Sequence, residues 1–541
     1  MRALLLAVCL VWAAFAASAG PRYTNPILHA DYSDPDVIRV GDSYYLVASS
    51  FHFSPGIPVL KSTDLVHWKL IGHVLPKLDF APAYDMLAPY PLTDGVSKPV
   101  GGTLRYMGGV WAPSIRHHQG RFYVYWATPD EGIFMSTATD PAGPWSPPTT
   151  VLAGPGYEDP CPFWDDDGKA YLVHSKVGAG PVILHAMSAD GTRLLDDGLT
   201  IIEDKVKLPV LEGPKLYKRN GYYYVLAPIG GVGTGPQVAL RSRRITGPYE
   251  HQVVLKPGNG LLGPHQGGYV ETPSGQGWFI HFNSTGAFGR IAHLQPVVWR
   301  DDWPWMGTPE GLPVLDHAYP DTDAVSTDRL QDSDEFSSER LGLQWSWNHN
   351  PDDKRWSLSA RPGFMRLEAG RARQLVGARN TLTQVLQGPQ ADIRARIEFG
   401  AMGEQQRAGL SLFGVRVPWI GVLREAGVTY LAYANAGVEV RGPRLDGQAV
   451  ILRAEVKQDQ TVQFSYSLSE TAPFQPFQPL GPVTPLATFS WWKGSRPAVF
   501  TYIKSDIDEP RAPPGTIKHV ITHNYVDVDW FRVSPGNSTQ P

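Results

Sequence analysis

Leu211-Glu212-Gly213-Pro214, followed shortly by Tyr222-Tyr223-Tyr224-Val225, sets a pattern that decides the fold: a residue with chemical potential in a turn, then a strand rich in aromatic side chains. The pattern occurs five times. The other aromatic strands are Tyr44-Tyr45-Leu46-Val47, Phe122-Tyr123-Val124-Tyr125, Ala170-Tyr171-Leu172-Val173 and Trp278-Phe279-Ile280, each entered through a glycine-bearing turn or loop. Counting back 11 to 13 positions from the central aromatic of each gives Asp34, Trp111, Asp159, Glu212 and His265. Radially repeated β-units bring equivalent positions to one axis, so five repeats predict five propeller blades and one pocket holding all five residues.

Between about Pro21 and Tyr319 the unit reads as an inner aromatic strand followed by an outer strand ending in a Ser/Thr/Asp-rich turn, as in Val59-Leu60-Lys61-Ser62-Thr63-Asp64. No long helical period interrupts it. Residues 320–335 are polar and turn-rich and read as a linker. From Phe336 onward the five-fold spacing is lost, and runs such as Asp392–Phe399, Val428–Tyr433, Val438–Arg441 and Val462–Ser467 largely alternate apolar and polar residues. A second all-β domain over 336–541, a sandwich, is expected, after a propeller over 20–319.

A chain of 541 residues exceeds one ordinary core. Its net charge of −4 gives no basic patch for nucleic acid. Met1-Arg2, the apolar run Leu4–Ala16 and Ala17-Ser18-Ala19 together read as a signal peptide over 1–19, which implies a secreted or periplasmic protein. No later apolar run is long enough to span a membrane. Cys9 would leave with the signal, so Cys161 stays without an intrachain disulfide partner. Nothing in the sequence fixes the oligomeric state.

Cleaving a glycosidic bond requires a proton donor for the leaving oxygen and, in the inverting route, a carboxylate that activates water on the opposite face. Asp34, Asp159 and Glu212 supply such groups. Each alone has a plain turn reading, since Asp-Pro and Glu-Gly-Pro are ordinary turn sequences; the matched offset in three blades favours chemistry. Trp111 reads equally as a sugar-stacking platform or a blade-packing aromatic. His265 is a candidate direct or water-mediated ligand of a central cation, and Arg290 binds substrate hydroxyls or pairs with a carboxylate.

Taken together, Asn25-Pro26-Ile27-Leu28, Asp34-Pro35, Ser50-Phe51 with Pro55–Val59, Trp111-Ala112-Pro113-Ser114, Asp159-Pro160, Glu212-Gly213-Pro214, Gly263–Gly267 and Gly289-Arg290 with Leu294–Val297 resemble glycoside hydrolase family 43, in order and spacing. The later Trp345-Ser346-Trp347-Asn348-His349-Asn350-Pro351 resembles the concanavalin-like sandwich of the family's β-xylosidase branch. The resemblance implies a five-bladed propeller acting on xylo-oligosaccharides or arabinoxylan, with Asp34 as general base, Glu212 as general acid and Asp159 tuning the acid. Phe51, Trp111, His265 and Arg290 would line the terminal-sugar subsite. No cofactor is required, although some relatives place calcium beside the position of His265. Ala30-Asp31 departs from the glycine and aromatic found there in many members.

The leading expectation is an inverting exo-glycosidase releasing xylose from the non-reducing end, with arabinofuranosidase activity as a second function or, alternatively, as the main one. A propeller that cleaves fructosides would carry an Asn-Asp-Pro-Asn-Gly-like start, which is missing. A non-catalytic carbohydrate-binding propeller would have no use for three carboxylates at matched offsets.

Overall fold

The computed structural model describes residues 20–86, 104–322, 325–486, 492–506 and 524–535, so the signal-peptide segment lies outside the described residues. Five antiparallel sheets form the blades. The first runs Asp36–Val40, Ser43–Val47, Gly56–Ser62, Lys69–Leu75, and the second Trp111–His118, Arg121–Thr128, Gly132–Ala138, Thr149–Ala153. The third runs Tyr157–Trp164, Ala170–Lys176, Val182–Met187, Leu199–Ile202, and the fourth Lys215–Arg219, Tyr222–Pro228, Gln237–Ser242, Glu250–Leu255. In the fifth, His265–Glu271, Gly277–Ser284 and Arg290–Arg300 are completed by the N-terminal strand Leu28–Asp31, which pairs beside Arg290–Arg300. That exchange joins the two ends of the propeller, and Arg22–Thr24 paired with Asp316–Ala318 adds a second tie.

One expectation needs correction. The aromatic strands are second in each blade, not innermost: Tyr45 pairs with Ile38, Tyr123 with Arg116 and Tyr223 with Lys218 on the strands nearer the axis. Their rings are too large for the crowded axis and instead pack between neighbouring blades, as Tyr45 does edge-on to Phe122.

The second domain is a sandwich of two large sheets. One carries Gln406–Phe413 and Arg496–Lys504 at its centre, the other Tyr525–Pro535 and Ala391–Glu398. The alternation in Ala391–Glu398 buries Ile393, Ala395 and Ile397 against Leu410, Ile420 and Phe531. The division at the 320–335 linker is blurred in space. Phe53–Ser54, from a first-blade loop, pairs with Ser346–Asn348 and adds an edge to a sandwich sheet, while the Lys69–Asp328 ion pair lays the linker along the first blade. Among the described residues the only helices are short 3-10 turns, and none is long and apolar enough to cross a membrane.

Candidate active site

The five inner strands begin at one mouth of the propeller, and each carries a residue in the left-handed backbone region at its head: Asp34 (φ 53°), Ala112 (φ 28°), Asp159 (φ 56°), Gly213 (φ 58°) and Gln266 (φ 36°). In blades two, three and five this residue lies in a β-bulge, between Trp111 and Ser114, Glu158 and Cys161, and His265 and Gly267. A bulge bends the strand and re-aims a side chain. In blades two and three two consecutive residues, Trp111-Ala112 and Glu158-Asp159, thereby face one pocket. Left-handed backbone costs a residue with a Cβ of order 1–3 kcal/mol, and such strain gathers at functional sites.

This equivalence sharpens the sequence count. Asp34, Ala112, Asp159, Gly213 and Gln266 form one ring; Trp111, Glu158, Glu212 and His265 form the ring one residue earlier. Asp34, Phe51, Met107, Trp111, Ala112, Glu158, Asp159, Val177, Gly178, Glu212, Val232, Gln266, Arg290 and Trp492 line a single pocket of about 350 Å³. Of the sequence-selected residues only His265 is off its wall; it is fully buried directly behind Glu212.

Each carboxylate has a distinct setting. Asp34 is 4% exposed; its Oδ1 accepts from Arg290 Nη1 at 2.5 Å and its Oδ2 from the Ser49 hydroxyl at 2.6 Å. The Arg290 guanidinium lies over the Phe282 ring, 4.7 Å from its centroid, and faces Trp492 at 5.7 Å. Glu212 Oε1 meets His265 Nε2 at 2.6 Å, and its side chain keeps 20% exposure toward the pocket. Asp159 Oδ2 accepts the Gly213 N–H at 2.7 Å, next to Glu212 in the chain. Burial, then the neighbouring charge of Glu212, pushes Asp159 up to about 7, against the lowering effect of that N–H. Burial and the charges of Asp159 and Glu212 likewise push Glu158 up to about 9. Carboxylates this close cannot all ionise cheaply, so the group retains protons near neutral pH.

Sequence reasoning did not assign roles to Glu158, Gln266, Met107 or Trp492. Glu158 and Gln266 could have been found by treating each strand head as a pair of positions. Trp492 arises in the sandwich, far outside any repeat. Trp111 faces the pocket as a wall, its indole N–H donating to the Met107 carbonyl at 2.6 Å; Phe51 forms another part of the wall, 2% exposed. Calcium takes six to eight oxygen ligands. His265 offers one nitrogen beyond its Glu212 bond, and no group of three or more His, Cys, Asp or Glu able to hold a metal ion lies among the described residues. These donors do not fit a protein-built calcium cage, and no step below runs through a cation.

A five-bladed propeller whose one pocket gathers Asp34, Glu158, Asp159 and Glu212 has the paired carboxylates that a glycoside hydrolase requires. The family model of glycosyl hydrolases family 43 matches residues 23–304, and that of the beta xylosidase C-terminal concanavalin A-like domain matches 333–513. The chain belongs to glycosyl hydrolases family 43. It is 47% identical to a putative beta-xylosidase of Xylanibacter ruminicola over 69% of this chain and 68% of that one. It is 31% identical to a beta-xylosidase of Formosa agariphila, covering 94% and 90%, and 33% identical to a non-reducing end alpha-L-arabinofuranosidase of Bacteroides ovatus, covering 68% of each. Among solved structures, a bifunctional GH43-CE protein of Bacteroides eggerthii superposes with a TM-score of 0.82 at 30% identity, covering 96% of this chain and 64% of that one.

Proposed function

We propose that this glycosidase releases xylose from the non-reducing end of xylo-oligosaccharides with inversion, and that it does so outside the cytoplasm. The observation that carries the reading is one small pocket in which an Arg290-paired Asp34 and a His265-held Glu212 face the same space, roofed by Trp492 from the sandwich.

Asp34 acts as the base: the Arg290 guanidinium and the Ser49 hydroxyl fix its two oxygens, leaving remaining lone pairs to draw a proton from water. Glu212 acts as the acid. Asp159, bonded to the N–H of the next residue in the chain, Gly213, stands beside it, and His265 sets the direction of its carboxyl. Proton donation and water activation each contribute of order 10²–10⁴ in rate. Similarity to the Bacteroides ovatus arabinofuranosidase supports a second activity on arabinofuranosides. Rates on nitrophenyl β-xyloside, nitrophenyl α-arabinofuranoside and xylobiose test the assignment: xylose release from xylobiose is expected, and activity on the arabinoside alone would overturn it.

A further inference from the structure

Blade three carries a second cluster of chemistry-bearing side chains, apart from the pocket. His174 lies on Ala170–Lys176 and His185 on the adjacent Val182–Met187. The register pairs Leu172 with His185 and His174 with Ile183, which puts both histidines on one face as a diagonal pair. They are 1% and 4% exposed, and their Nε2 atoms lie 3.2 Å apart.

The outer nitrogens fix the tautomers. His174 Nδ1 faces the Ser175 carbonyl at 2.9 Å, which is an acceptor only, so this nitrogen must carry the hydrogen. His185 Nδ1 faces Asp196 Oδ1 at 3.1 Å and the Asp196 carbonyl at 3.3 Å, again acceptors only. Two neutral imidazoles so arranged present two bare Nε2 lone pairs to each other. That contact is repulsive unless something positive lies at their convergence: either a proton or a metal ion.

We propose that His174 and His185 form a binding site for a divalent ion of the zinc and copper class. Two nitrogens bonded at about 2.0–2.1 Å to one ion, subtending roughly 100–110°, stand about 3.2–3.4 Å apart, which is the separation observed here. The surroundings match the outer shell of such sites, where a ligating histidine gives its other N–H to a backbone carbonyl or a carboxylate. Asp196 is itself held in place, Oδ2 accepting from the Ala186 N–H at 3.0 Å and Oδ1 from the Gly198 N–H at 3.1 Å. Imidazole suits zinc, copper and nickel, whereas calcium and magnesium prefer oxygen. Both histidines line a solvent-connected cavity of about 520 Å³ with Tyr157, Thr192 and Asp196, through which the ion enters and water completes its coordination. The ion would join two strands of the blade to the 188–198 turn.

Titration calorimetry of the full chain with zinc chloride, and electron paramagnetic resonance with copper(II), test the site. The wild type should take up one equivalent that H174Q and H185Q each lose, with copper spectra showing two nitrogen ligands. D196N, a change at a half-exposed side chain that leaves both ligands in place, should bind 10–100-fold more weakly, and keeps the test decisive where a histidine variant fails to fold. Absence of uptake by the wild type, or uptake unchanged in all three variants, would overturn the proposal and leave a proton shared between the two rings.

Discussion

Asp31→Asn is expected to loosen the roof of the pocket from the propeller. Asp31 stands where the resemblance to family 43 breaks down, and the structure gives it four partners. Its Oδ1 accepts from the Ser33 hydroxyl at 2.9 Å and the Arg290 N–H at 3.0 Å; its Oδ2 accepts the Gly494 N–H at 2.9 Å and lies 3.6 Å from the Lys493 ammonium. One carboxylate thus ties the neighbours of the base to the sandwich segment bearing Trp492. Both side chains of the ion pair are 4% exposed. An asparagine oxygen can still serve Ser33 and Arg290, but its NH₂ would face the Gly494 N–H and the ammonium, leaving a buried charge uncompensated. Breaking such a pair costs about 3–5 kcal/mol. Unfolding midpoints should therefore fall clearly in D31N, and kcat/KM should drop mainly through a higher KM as Trp492 loses its seat. Adding K493M should restore much of the stability, because the stranded charge is gone. Burial lowers Lys493 to about 8, with Asp31 opposing the shift. The native state therefore binds fewer protons than the unfolded chain between about 8 and the usual lysine range, and stability should rise with pH across that window, an increase that K493M flattens. Equal midpoints for wild type and D31N, or additive effects of D31N and K493M, would refute the reasoning.

Three further outcomes follow from the site. Glu212→Ala should lose far more activity on xylobiose than on nitrophenyl xyloside, whose leaving group departs with little protonation, whereas Asp34→Ala should lose activity on both alike; equal losses for Glu212→Ala would remove it as proton donor. Because Asp159 is raised to about 7, the native state holds a proton the unfolded chain has released, so this group's contribution to stability is full below the usual aspartate range and is lost as pH rises through about 7. Denaturation at pH 5 and pH 8 should show Asp159→Asn reducing that decline, and an undiminished decline would contradict the shift. Exhaustive chelation separates the two readings of His265: unchanged turnover of xylobiose is expected if its bond to Glu212 is its whole role, and a loss restored by added calcium would show that it holds a cation, directly or through water.

Much of the fold was legible because a propeller repeats. A near-constant offset of 11 to 13 positions from five aromatic strands identified the heads of the inner strands, where Asp34, Trp111, Asp159, Glu212 and His265 all lie. The same count placed the aromatic strands one position too close to the axis, since alternation reports which faces are buried and says nothing of order within a blade. It also treated each head as one residue, although the bulge in blade three brings Glu158 to the pocket beside Asp159 and that in blade five brings Gln266 rather than His265, so Glu158 and Gln266 were passed over. Phe51 came from the family resemblance, and Arg290, though noted in Gly289-Arg290, did not come from the repeat. Trp492 had no local signal: it reaches the pocket only because Asp31, Lys493 and Gly494 fasten a sandwich segment to the propeller. Contacts of that sequence separation are set by tertiary packing.

The central claim is that Asp34 activates water and Glu212 protonates the departing oxygen, with no covalent sugar on the enzyme. Proton NMR of the first xylose released from a β-xyloside, recorded before mutarotation, tests it most directly. The account predicts the α anomer as the initial product. Initial β-xylose would mean that a carboxylate attacked the sugar, and the role given to Asp34 would be contradicted.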